Sequence, residues 1–126
     1  MHYYPTIGIG DVLARPKLLG IVEHLGVLVD YDAILTNSPE RGEHLTTLRE
    51  FSDNKPVTVH ATGVDPSVVA ARTHNILSNP QPYDPIRRNC QHTTNEIIHG
   101  VAKSPLVAVT ALVLVAGIFC LILSRN

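Results

Sequence analysis

The apolar positions of this chain come in two rhythms, alternating early and helical late. Ile21 to Tyr31 (IVEHLGVLVDY) is rich in β-branched and aliphatic residues and predicts a central strand. Asp30-Tyr31-Asp32 has hairpin chemistry, and Ala33 to Thr36 predicts the returning strand. Ile7 to Pro16 reads as a turn feeding a short strand, and Pro56 to His60 as another strand. Asn37 to Gly42 predicts a loop, followed by a short helical stretch over Leu45 to Phe51. Asp65-Pro66 is a strong helix start, and apolar spacing carries that helix to Leu77. Asn79 to Pro85 is a rigid, proline-rich loop. A last helix is predicted over Asn89 to Ile98, with Gly100 as its C-terminal cap. Strands come first and helices later. The expected class is therefore α+β, a small antiparallel sheet packed with helices.

The remaining hydrophobic residues sit elsewhere. Leu106 to Leu123 is uncharged over eighteen residues, interrupted only by Thr110 and Gly117. At about 1.5 Å per residue it would cover roughly 27 Å, close to a bilayer core. Lys103 and Arg125 flank it as snorkelling ends. The N-terminal Met-His-Tyr-Tyr-Pro-Thr lacks the basic and apolar segments of a signal peptide. The expected organisation is a domain over residues 1–103 and a single-pass C-terminal tail anchor over 104–126. The domain is expected on the cytoplasmic side.

Composition narrows the partners. Ten Lys and Arg against eleven Asp and Glu give a net charge of −1. So neutral a domain is not built to hold phosphate backbones, and no nucleic-acid partner is expected. The two cysteines, Cys90 and Cys120, cannot make a disulfide framework, and both are read as free thiols. There is no H-E-x-x-H, no Cys pair, no Walker loop and no G-x-S-x-G elbow. Gly8 and Gly10 lack the third glycine of a dinucleotide loop. Neither a metal nor a cofactor is expected.

The chemistry-bearing candidates are Cys90 and His24. Cys90 opens the last predicted helix, where orphan N–H groups and partial positive charge favour a thiolate. Arg87 and Arg88 precede it. A thiol nucleophile needs a base, and His24 on the central strand is the best candidate. Its same-face neighbours Val22, Gly26 and Leu28 make it a polar group on an apolar face. Each residue by itself also fits a plain structural role, as a buried thiol and a satisfied core histidine. His92 points away from the thiol by helical spacing and suits packing or capping.

Gly10-Asp11-Val12-Leu13, Glu23 to Val29 (EHLGVLV) and Asn89-Cys90-Gln91-His92 together resemble the lecithin:retinol acyltransferase-like family. That family is the circularly permuted branch of the NlpC-type, papain-like cysteine hydrolases. The likeness covers about residues 7–100. It implies a permuted papain-like fold, Cys90 as nucleophile and His24 as general base. Relatives often carry a second histidine on the following strand to orient the first. Here that position falls on Thr36, with Asn37 beside it and His44 further on. An Asn side-chain oxygen can orient an imidazole, so Asn37 is preferred to Thr36.

The expected function is a membrane-anchored thiol hydrolase or acyltransferase attacking an ester or amide carbonyl, with lipid acyl groups as substrate. Two alternatives stand beside it. One is an NlpC-type amidase or peptidase acting on peptides. The other is a catalytically silent, membrane-tethered binding module.

Overall fold

The computed structural model describes residues 6–101. Five strands and three helices follow in the order β1 (Val12–Lys17), β2 (Val22–Asp30), β3 (Ala33–Ser38), β4 (Gly42–Thr46), α1 (Leu48–Ser52), β5 (Thr58–His60), α2 (Pro66–Ser78) and α3 (Cys90–His99). The strands form one sheet in the order β4-β3-β2-β1-β5, antiparallel at every pairing.

Alternation gives the sheet two distinct faces. On one, Val27, Val29 and Leu35 pack with Val69 and Ile76 of α2 and Ile97 of α3. On the other, Leu13 and Ile34 pack with Phe51 of α1. Gly26 lies on this second face because a side chain there has no room. A Cβ would sit 2.6 Å from Ile34 Cγ2 and 2.9 Å from Phe51 Cε2.

The helices start where their caps dictate. Asp65 accepts from the Ser67 amide at 2.8 Å, with Pro66 in the first turn of α2. Asn89 accepts from the amides of Gln91 and His92, and its own amide donates to His92 Nδ1 at 3.1 Å. This reciprocal cap satisfies donors that the start of α3 would otherwise leave open. Gly100 closes α3 at φ 74°.

Two expectations are corrected. Residues 42–46, read as loop and helix start, form strand β4, and the helix is confined to Leu48–Ser52. Thr47 caps α1 by accepting from the Glu50 amide, so helix cannot extend back through Thr46, which pairs with Ile34. The expected fold class, a permuted papain-like domain with a C-terminal transmembrane helix, is also corrected. The fold is a small α+β unit with a five-stranded antiparallel sheet. Among the described residues no helix is long and apolar enough to cross a membrane. The longest helix among the described residues, α2, has 13 residues, about 20 Å, and buries only Val69, Thr73 and Ile76. The anchor expected over 104–126 lies outside the described residues.

Candidate functional site

His24 occupies the centre of the sheet and is 6% exposed. Its ring stacks on Phe51, with centroids 5.4 Å apart and planes 26° apart. Nε2 lies 3.0 Å from Thr36 Oγ1. Thr36 Oγ1 donates to the Leu25 carbonyl at 2.7 Å, and a hydroxyl has only one proton. Thr36 therefore accepts from Nε2–H, and this network assigns the tautomer: Nε2 protonated, Nδ1 a bare acceptor.

Burial holds His24 far below the ordinary imidazole range of 6.5, at about 3, and the cations of Arg15 and Lys17 and the nearby His44 add to the effect. The register explains these neighbours. Arg15 pairs with His24, Lys17 with Val22, and His44 with Thr36, so all three share His24's face. Arg15 is fixed there by donating Nε–H to the Phe51 carbonyl at 2.5 Å. His44 donates Nδ1–H to the Gly42 carbonyl at 2.7 Å.

Cys90 is the first residue of α3 and is 2% exposed. α3 packs on the other face of the sheet, through Ile97 against Val27 and Leu35. Asn37, one residue beyond Thr36, points to that face. Its Nδ2 donates to the Arg88 carbonyl at 2.9 Å and to Thr93 Oγ1 at 3.2 Å. Beside it, Glu43 pairs with Asn37 across the strands and accepts from Arg88 Nε at 2.6 Å. Arg88 also binds Glu96. Burial disfavours the Arg88 cation, but these two carboxylates outweigh it and leave its pKa above the ordinary value.

Of the four residues expected to form one site, the structure joins His24 to Thr36 on one face of the sheet and places Asn37, with the α3 that Cys90 opens, against the other. Among the described residues no hydrogen bond links Cys90 to His24. Asn37, preferred from the sequence, fastens the turn before α3 rather than orienting the imidazole. Arg88, expected to support the thiolate, spends its charge on Glu43 and Glu96. His92 is a capping residue, as its spacing suggested.

Sequence reasoning missed Glu43, because it placed the following stretch in a helix. It also missed Tyr83, whose phenol is pushed up by burial and by the neighbouring Cys90, Glu40 and Asp84. The only available signal was the position of Tyr83 in a rigid loop shortly before the Asn-Cys box.

Two clefts flank these groups. An apolar one of about 520 Å³ lies on His24's face, lined by Leu13, Leu28, Ile34 and Leu48, with Asp30 and Asp32 at its edge. The other, about 430 Å³, lies between the β3–β4 turn and residues 80–83, with Glu43 and Tyr83 in its wall. Among the described residues no group of three or more His, Cys, Asp or Glu could hold a metal ion. Comparison with protein-family models and with curated proteins returned no match.

Proposed function

We propose that this chain is a thiol hydrolase or acyltransferase of the type it resembles, with Cys90 as nucleophile and His24 as general base, acting on lipid acyl groups. The observation that carries this proposal is the fixed tautomer of His24. Thr36, at the position where the resemblance implies an orienting residue, holds Nε2–H and leaves Nδ1 free to take a proton. In the reaction Cys90 Sγ gives its proton to Nδ1 and attacks the acyl carbonyl. The bond to the alcohol or amine breaks, the leaving group takes the proton back, and an acyl thioester remains for water or a second acceptor. The apolar cleft on His24's face has the lining an acyl chain requires. Proton transfer requires Sγ within about 3–4 Å of Nδ1 and an imidazole far more basic than the buried His24 described, so the proposal holds only for an arrangement in which Cys90 reaches His24's face and the burial that depresses the imidazole is relieved.

The opposite placement of α3 and His24 favours a second reading, a catalytically silent binding module. Incubation of the full chain with phospholipid vesicles, and separately with a muropeptide, distinguishes the readings. An acyl mass on Cys90, lost in Cys90→Ala, is the expected result. Turnover of the peptide with the lipid untouched points to an amidase instead. Activity unchanged in Cys90→Ala refutes thiol chemistry, and no adduct with either substrate leaves the silent module.

A further inference from the structure

The turn between β1 and β2 breaks a local rule without a packing reason. The Gly20 amide bonds the Lys17 carbonyl at 3.1 Å, closing a tight turn whose central residues are Leu18 and Leu19. Both have positive φ, 50° and 57°. Lys17 pairs with Val22, so Leu18 to Ile21 make a four-residue loop, and its first three residues (Gly20 at φ 82°) are left-handed, a region where a branched apolar side chain is strained and Gly or Asn is favoured. Nothing in the fold shelters them. Leu18 is 70% exposed, Leu19 103% and Ile21 82%. Three large aliphatic side chains thus stand at the tip of a strained turn, where a polar pair would be easier to fold and more soluble. Arg15 and Lys17 lead into the tip, against one carboxylate, Glu23, on the returning strand.

We infer that this hairpin tip inserts into an anionic lipid bilayer. The apolar tip is too narrow to bury much area against a flat protein surface, yet it can enter the acyl region while Lys17 and Arg15 remain at the headgroups. The charge balance suits a negatively charged surface. Insertion places the Arg15–His24 end of the sheet nearest the lipid. It does not depend on catalysis and is read separately from it.

The chain has no tryptophan, so single tryptophans report immersion at chosen positions. Leu19→Trp marks the tip. Ala61→Trp marks an exposed position outside the apolar cleft, next to His60, which pairs with Val12 at the end of β1 away from the tip, roughly 20 Å from Lys17. The full-length variants are mixed with phosphatidylglycerol-containing vesicles carrying acyl-brominated lipid. The expected result is at least two-fold quenching with a blue shift for Leu19→Trp and neither for Ala61→Trp. Equal quenching at both positions, or none at position 19, overturns the inference. In an Ile21→Trp background, Leu18→Asn with Leu19→Gly supplies residues that accept positive φ. Its melting temperature should rise by a few degrees while quenching falls at least two-fold. Quenching that persists in this folded variant also overturns it.

Discussion

His24 makes the stability of the fold depend on pH in a way that can be worked out in advance. Folded, it protonates at about 3, against 6.5 for an ordinary imidazole. Above pH 6.5 neither state carries the proton, and stability is complete. Between 6.5 and 3 the unfolded chain takes up a proton that the folded chain refuses, so stability falls as pH falls. At about 1.4 kcal/mol per unit, the whole gap is worth roughly 5 kcal/mol. This is a large part of the roughly 5–15 kcal/mol that holds a small domain together. By pH 4.5, where glutamates also begin to titrate, the His24 share of the loss is roughly 3 kcal/mol. Urea unfolding of the full chain at pH 7.0 and 4.5, followed by far-ultraviolet circular dichroism, measures it. His24→Gln lowers stability at pH 7 by removing the Thr36 bond, but it should lose roughly 2–3 kcal/mol less than the parent between the two pH values, the carboxylate share being common to both. His92, also pushed down by burial and by Arg88, contributes in the same direction and survives in this variant. If His24→Gln loses as much stability on acidification as the parent, His24 is not the buried neutral imidazole described here. Ring signals of His24 that titrate near pH 6 would lead to the same conclusion without any substitution.

Three further substitutions test the packing around the candidate groups. Gly26→Ala should destabilise by about 1–3 kcal/mol despite alanine's better strand propensity, because its Cβ drives into Ile34 and Phe51; a urea midpoint within error of the parent would contradict the tight approach. Glu43→Gln should cost about 2–3 kcal/mol, since the Glu43 side chain is fully buried and Arg88 would keep only Glu96; a loss below about 0.5 kcal/mol would show the pair to be loose in solution. Asn89→Ala removes the acceptor for two amides and should cost about 1 kcal/mol, with faster hydrogen exchange in the first turn of α3; unchanged exchange there would show that the cap is not formed.

The parts of the fold legible in the sequence are those governed by local rules. β2, the Asp30–Asp32 turn, β5, α2 and α3 announce themselves through alternation, caps and a terminal glycine. β4 does not. Gly42–Thr46 (GEHLT) has weak local preference and becomes a strand because β3 offers it an edge. The same pairing draws Asn37 out of the predicted loop into β3. The candidate site was legible as residue types but not as a constellation. Which residue meets His24 is a question of parity: with Gly26 opposite Thr36, the pleat sends Thr36 to His24's face and Asn37 to the other. Chemistry favours an amide as orienting group, but register selects a hydroxyl.

Parity also explains why Cys90 lies where it does. α3 must cover the apolar side chains of Val27 and Leu35, and these alternate with His24 and Thr36 rather than coinciding with them. Its first turn is tied to the same face by polar groups: Arg88 to Glu43 and Glu96, and Asn37 to the Arg88 carbonyl and Thr93. That attachment is incomplete. Asn37 Oδ1 and Glu43 Oε2 are buried with no hydrogen-bond partner, and each such oxygen costs about 1–3 kcal/mol. The apolar half of α3 is therefore well satisfied where it sits, and the polar half at Cys90 less so. The contrast lies along one helix: the unpartnered oxygens of Asn37 and Glu43 stand beside the Arg88–Cys90 turn, while Ile97 and the core it closes are held by apolar contact.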